Sequence, residues 1–285
     1  MKAARTPRIA VLMTCHNRRA LTLRCLESLR AQRGRFALEL FLVDDGSSDG
    51  TAAAVREAWP DARVIAGDGR LFWNGGMRRA WQAAAQAGGF DHYLWLNDDV
   101  ALEPGAVARL LAEAEAHAAP DGAVVAGGST RRPESGEITY GGQRRTHRRR
   151  PLRFALVPPG RAPLAVDSVS GNIVLVSAPA FARLGNLAPD FVHIFGDLDY
   201  GLRARAAGVP VIAGSGWFGA CEGPDMRGTS LDPVLGRRRR LRLRLREEAD
   251  VHARDWRVFA RRHSGLGPLS LGYSLVPYWR IWRGG

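Results

Sequence analysis

The chain has 285 residues, a formal net charge of +13, 46% hydrophobic residues and three cysteines. That length and apolar content predict one sizeable α/β core with an appendage. No run of about 20 apolar residues suggests a bilayer-spanning helix, and Cys15, Cys25 and Cys221 are too few and too scattered for a disulfide framework. Lys2 is the only lysine, so the positive charge is nearly all arginine and offers a surface to phosphates or anionic lipid. The opening apolar run reads as a strand rather than a signal peptide. The expectation is a cytoplasmic protein that can rest peripherally on the inner membrane face.

In chain order, "RIAVLMT" (8–14) predicts a strand and "RALTLRCLESLRAQ" a helix with Leu21, Cys25 and Leu29 on one face. "LELFLVDDGSSDG" is a strand ending in acids and turn residues, and Ser47, Ser48 and Asp49 are candidate caps for the helix "TAAAVREAW". "ARVIAG" is a third strand, and Gly75 and Gly76 open a helix, "GGMRRAWQAAAQAG". "HYLWLNDDV" is a fourth strand; Glu103-Pro104 starts the next helix, with Pro104 near its first position. "GAVVAGG" is a fifth strand. Strands alternating with helices predict a parallel sheet covered on both faces.

After residue 130 the alternation breaks. "RRPESGEITYGGQRRTHRRR" predicts a hairpin or loop with a basic cluster. "DSVSGNIVLVSAPAFARLG" returns to strand and helix, and "FVHIFGDLDYGLRARAAGVPVIAG" reads as loop, helix and strand. From residue 216 the composition turns to arginine, aromatics and proline. The predicted division is a catalytic domain over 1–215 and a basic, mainly helical extension over 216–285.

Ligands of an open parallel sheet bind beyond the carboxyl ends of its strands. "TCHNR", "DDGSSD", "GDGRLFWNGGM" and "NDD" all fall there. Asp44 and Asp45 suit either a turn with a helix cap or a ligand contact. Gly75 and Gly76 suit either a simple helix start or a close backbone approach to phosphate. Asp98 and Asp99 end a strongly apolar strand, and adjacent carboxylates repel unless a cation sits between them. Hard cations combine few carboxylates with substrate phosphate oxygens. Mg²⁺ or Mn²⁺ held by Asp99, with Asp98, against a diphosphate is the chemical expectation.

The succession "VDDGSSDGT", a Gly-Gly helix start, "LNDDV" and "FGDLDYGLRARAAG" resembles glycosyltransferase family 2 over about residues 8–215. The resemblance implies a GT-A fold: a Rossmann-like, mostly parallel sheet flanked by helices. It also implies a nucleotide-diphosphosugar donor and inversion at the anomeric carbon. It places Thr14, His16 and Arg18 at the base pocket, and Asp44 and Asp45 at the nucleoside. The metal motif falls on Asn97, Asp98 and Asp99, where Asn97 replaces the usual first Asp. "GDGRLFWNGGMRRAW" is similar to the branch of rhamnosyl and galactofuranosyl transferases, implicating Trp73, Gly75 and Gly76 near the donor. The base segment falls on Gly196–Asp199, which implies Asp197 as base, with Asp199 and His193 as contacts to acceptor or sugar. A family histidine that assists the metal has no counterpart in "GWFGACEGPDM", where Cys221 or Glu222 is the candidate substitute.

Such a transferase would extend a cell-envelope glycan or a lipid-linked acceptor. In the extension, "GRRRRLRLRLREEAD" and "YSLVPYWRIW" suit either a solvated, core-packed helix or a membrane-surface patch. A sugar nucleotidyltransferase is the rival enzyme class, but "TCHNRRALT" lacks the glycines its first loop needs. A nucleic-acid-binding protein using the basic surface is the third reading, suggested by charge, but no nucleic-acid partner is expected because no helix-turn-helix, zinc or RNA-binding motif supports it.

Overall fold

The computed structural model describes residues 5–147, 150–223, 227, 228, 230, 232–249 and 251–283. The first half alternates as expected: β1 (Arg8–Cys15), α1 (Arg19–Arg30), β2 (Ala37–Asp44), α2 (Thr51–Ala58), β3 (Arg63–Ala66), α3 (Phe72–Ala87), β4 (His92–Leu96), β5 (Ala101–Leu102), α4 (Ala106–His117) and β6 (Val125–Arg131). A strand-rich insertion follows: β7 (Ile138–Tyr140), β8 (Gly142–Arg145), β9 (Phe154–Leu156), β10 (Leu164–Ala165) and β11 (Ser168–Val169). Then come β12 (Ile173–Ser177), α5 (Ala178–Leu184), α6 (Gly196–Ala206) and β13 (Val211–Ala220). The chain continues through α7 (Arg237–Ala249), α8 (Val251–His263), a 3₁₀ segment (Gly267–Leu275) and α9 (Val276–Arg283).

Among the described residues the main sheet runs β10-β13-β6-β12-β4-β1-β2-β3. The β3-β2-β1-β4 and β6-β13 pairings are parallel. β12 departs from the all-parallel expectation: it lies antiparallel between β4 and β6. That reversal matters for the site. It brings the turn before β12 to the carboxyl end of β4, where the Asn97 N–H donates to the Asn172 carbonyl at 3.0 Å.

The period-two side-chain alternation of a strand sorts β1 onto two faces. Ile9, Val11 and Met13 join one buried cluster with α1 and α4, while Ala10 and Leu12 join the other with α3. The second cluster centres on the fully buried Trp81 and Trp95, whose rings meet edge-on at 5.3 Å. Each side thus withdraws a continuous apolar stripe from solvent, worth about 25 cal/mol per Å² of apolar area buried.

Two helix starts differ from the sequence reading. α4 begins at Ala106 after Gly105, whose φ of 74° is a left-handed turn that proline cannot supply, so Pro104 lies outside the helix. α2 is entered through Gly50, and of the three candidate caps Asp49 reaches it, accepting from the Thr51 N–H at 3.1 Å. The composition change at residue 216 falls inside β13, which continues to Ala220 as part of the main sheet. α8 packs onto α6: Phe259 is buried with Ala188, Phe191, Leu198 and Leu202.

Candidate active site

β1 and β2 end side by side because their parallel register pairs Cys15 with Asp44. Their loops are stitched together. Ser47 Oγ accepts from the Asn17 N–H at 2.9 Å, and Asn17 Oδ1 accepts from the Ser48 N–H at 2.8 Å. His16 Nδ1 lies 2.6 Å from the Asp45 carbonyl oxygen, with the ring exposed at the rim. Asp44 is buried and accepts from the Ser47 N–H at 2.9 Å.

Asp45 is also buried, and both its oxygens are occupied. Oδ1 accepts from the Gly69 N–H at 2.9 Å, and Oδ2 from the Leu71 and Phe72 N–H groups at 3.0 Å each. It shapes the loop and holds the start of α3. The phosphate reading of the glycines needs correction. α3 starts at Phe72, so Gly75 and Gly76 lie inside its first turns, and the Gly75 N–H already donates to the Leu71 carbonyl at 3.1 Å. A Cβ on Gly76 would sit 2.1 Å from Thr14 Oγ1. Gly76 therefore serves close helix–strand packing, with Thr14 as its partner.

The cation between Asp98 and Asp99 is Arg18. Its Nη1 donates to Asp98 Oδ1 at 3.2 Å and to Asp99 Oδ2 at 3.1 Å. Asp98 is buried, with Thr22 Oγ1 at 3.5 Å, and burial pushes its pKa up to about 6, opposed by Arg18 and reinforced by Asp99. Asp99 is more open, and the Cys221 thiol donates to its Oδ1 at 3.4 Å. Burial first, and then Asp99, push the Cys221 thiol well up. Glu222 turns outward to pair with Arg132. No cluster of three or more His, Cys, Asp or Glu able to hold a metal occurs among the described residues. The donor set fits a hard divalent cation only where one or two carboxylates suffice and phosphate oxygens complete the shell. Asp99 is the more accessible of the two carboxylates, with Asp98 behind it.

Across the rim, α6 presents Asp197 in its first turn. Its Oδ2 accepts from the Gly171 N–H and its Oδ1 from the Leu198 N–H, both at 2.8 Å. Desolvation raises its pKa against those two donors. Trp73 joins the two halves. Its Nε1–H donates to Asn97 Oδ1 at 2.7 Å, and its ring lies so close over Gly171 that a Cβ there would be 2.4 Å from it and 3.3 Å from Asp197 Cβ. His193 is exposed, its ring 5.8 Å from that of Phe72.

Asp199 is not with them. Its side chain is 0% exposed, and its carboxylate is held by Arg203 Nε at 2.8 Å, His263 Nε2 at 2.9 Å and Arg262 Nη1 at 3.2 Å. Those partners pull its pKa below the ordinary value despite burial. Two helix positions set the difference: Asp197 faces the rim, and Asp199 faces α8. Asp199 is a structural ion-pair centre and not a sugar contact.

Three residues escaped sequence reasoning. Gly171 and Asn172 matter because antiparallel β12 brings their turn to this rim, and only the "SGN" turn before "IVLV" hinted at them. Tyr140 ends β7; at the next residue the Gly141 carbonyl accepts from the Ser170 N–H at 2.9 Å, and the Gly141 N–H donates to Ser170 Oγ at 3.4 Å. Burial raises the Tyr140 pKa, followed by the nearby Cys221, Asp99 and Asp197. A single Tyr in a hairpin carries no signal of such company.

The mostly parallel sheet flanked by helices is the fold of a GT-A glycosyltransferase. The chain belongs to glycosyl transferase family 2, whose family model matches residues 10–170. Among solved structures, it is similar to the mannosyltransferase PcManGT from Pyrobaculum calidifontis in complex with GDP-Man and Mn²⁺. The TM-score is 0.58 at 17% identity, covering 98% of this chain and 70% of that one. Comparison with curated proteins finds no match.

Proposed function

We propose that the chain is an inverting transferase that moves a hexosyl or deoxyhexosyl group from a nucleotide-diphosphosugar to a hydroxyl of a glycan or lipid-linked acceptor. The reading includes the rhamnosyl or galactofuranosyl branch and a role in cell-envelope polysaccharide synthesis at the cytoplasmic membrane face. One observation carries it: the Arg18–Asp98–Asp99 group and Asp197 line one rim, joined through Trp73, Asn97 and Gly171.

In this mechanism Asp197 accepts the proton of the acceptor hydroxyl as that oxygen attacks the anomeric carbon. Its two backbone donors fix the carboxylate, each oxygen keeps a free lone pair, and the raised pKa favours proton uptake. A single base with no protein nucleophile gives inversion. Trp73 supplies a flat face for the sugar between base and acid pair. Arg18, half-exposed, swings from the carboxylates toward the diphosphate oxygens. Mg²⁺ or Mn²⁺ held by Asp99, with Asp98, would neutralise charge on the leaving diphosphate. Tyr140 offers a hydroxyl between the two halves.

Toward the C-terminal end of the chain, Trp279 and Trp282 are 51% and 67% exposed, with Arg280 and Arg283 beside them. This supports peripheral contact with anionic lipid. No helix among the described residues is long and apolar enough to cross a membrane.

A thermal-shift panel of UDP-, GDP- and dTDP-sugars with and without Mn²⁺ tests the donor assignment. One donor should raise the melting temperature further with Mn²⁺, and Asp99→Ala should remove that increment while the apo protein melts unchanged. An Mn²⁺ increment that persists in Asp99→Ala would refute the ligand assignment.

A further inference from the structure

We infer that Asp255, in the C-terminal extension, is a positioning residue for the catalytic base. The inference rests on Asp197 being that base. Asp255 lies on α8 and is 0% exposed. Its carboxylate reaches into the loop that leads to α6 and accepts three consecutive backbone N–H groups. Val192 donates at 3.0 and 3.2 Å to its two oxygens, His193 at 2.8 Å and Ile194 at 2.9 Å. A buried carboxylate is costly unless hydrogen-bonded, and here the loop backbone does that work.

The loop needs such a clamp. Phe195 ends it at φ 66°, a left-handed conformation uncommon for a bulky residue, and it directly precedes α6. α8 holds the Phe195 ring as well, stacking Phe259 on it at 4.8 Å with Trp256 at 5.6 Å. On the opposite side of the loop, the Asn74 N–H donates to the Val192 carbonyl at 3.2 Å, and the Asn74 amide donates to the carbonyls of Ala188 and Phe191. The loop is therefore gripped between the α3 turn that carries Trp73 and the α8 turn that carries Asp255. Asp197 is two residues beyond the left-handed turn. A reciprocal tie, Asp199 of α6 to Arg262 and His263 of α8, fixes the same helix from its buried face. The extension thereby takes part in setting the base.

A double-mutant cycle tests this. Asp255→Asn must turn an amide N–H₂ toward at least one of the three backbone donors, which displaces the loop. The readout is nucleoside diphosphate released by hydrolysis of the nucleotide-sugar selected in the panel above, at saturating donor, so that water stands in for the acceptor. Donor affinity is read by calorimetry and folding by melting temperature. Misplacing a reacting group by about 1 Å costs roughly 10²-fold in rate. Asp255→Asn should therefore lose turnover on that order with donor affinity unchanged. Asp197→Asn/Asp255→Asn should be no slower than Asp197→Asn alone, because a misplaced base and a missing base are the same loss. A purely structural Asp255 would give multiplicative losses, or equal losses in donor affinity and turnover, and either result overturns the inference while leaving Asp197 as base. Wild-type turnover in Asp197→Asn would instead remove the base assignment and this inference with it. Should Asp255→Asn not fold, Asp255→Glu enters the same cycle: it keeps the anion one methylene further out, with a smaller loss and the same non-additivity expected.

Discussion

At the scale of single residues, the acid pair shows how charge is settled before any substrate arrives. Two neighbouring carboxylates at the end of a buried strand require a counter-charge, and the chain supplies its own in Arg18. Asp98 keeps a pKa of about 6, above its ordinary 3.8, because burial outweighs the arginine. The sign follows from linkage. Between those two values the folded state holds the proton that the unfolded state releases, so this group's contribution is fully present below pH 3.8 and is lost as the pH rises to about 6. Carboxyl-carbon NMR should show Asp98 titrating near 6, and Arg18→Gln should move it higher still. Titration at the ordinary value in the wild type would show that the side chain is not desolvated as described. The need for a cation at Asp98–Asp99 was legible in the sequence. Its identity as Arg18 was not, because a guanidinium 80 residues earlier reaches the pair only through the β1–β4 pairing.

At the scale of elements, α3 separates two readings of one glycine pair. Gly76 packs against β1, where an added Cβ would overlap Thr14 at 2.1 Å, whereas on Gly75 it would meet only the Leu71 side chain, at 3.4 and 3.7 Å. Gly76→Ala should destabilise by about 1–3 kcal/mol through overpacking. Gly75→Ala should be neutral or stabilise by roughly 0.5–1 kcal/mol, since alanine is the better helix former. Denaturant unfolding of the two variants checks this, and equal effects would contradict the packing described. The sequence located this helix but not its start, because Phe72 is held by the distant Asp45 carboxylate rather than by a local cap. The alternating strands and helices of the first half were readable from period and turn residues. The antiparallel direction of β12 was not, since an isolated apolar strand reads the same in either direction.

At the scale of the whole molecule, the net charge of +13 is unevenly used. Inside, arginines are tied to specific acids, as Arg203 and Arg262 are to Asp199. On α9, Arg280 and Arg283 are exposed beside Trp279 and Trp282, and the Arg283 guanidinium lies 4.3 Å from the Trp279 ring centre. Trp279→Ala/Trp282→Ala should weaken sedimentation with phosphatidylglycerol vesicles, most visibly at low salt, and leave the melting temperature nearly unchanged. Unaltered sedimentation would remove the membrane role. The composition alone suggested two separate regions, but the extension is bonded into the catalytic core through Asp255 and the Asp199 cluster. Contacts between residues more than 60 positions apart leave no trace in local pattern.

The most direct measurement is single-turnover glycosyl transfer by Asp197→Asn, with donor affinity and melting temperature determined on the same protein. Asn retains the size and can still accept one of the two backbone hydrogen bonds; its amide then faces the other N–H, so some stability should be lost while the protein still folds and donor binding is kept. General-base catalysis is worth about 10²–10⁴ in rate, and turnover should fall by that much. Near wild-type turnover with unchanged donor binding would contradict the assignment of Asp197 as the group that takes the acceptor proton.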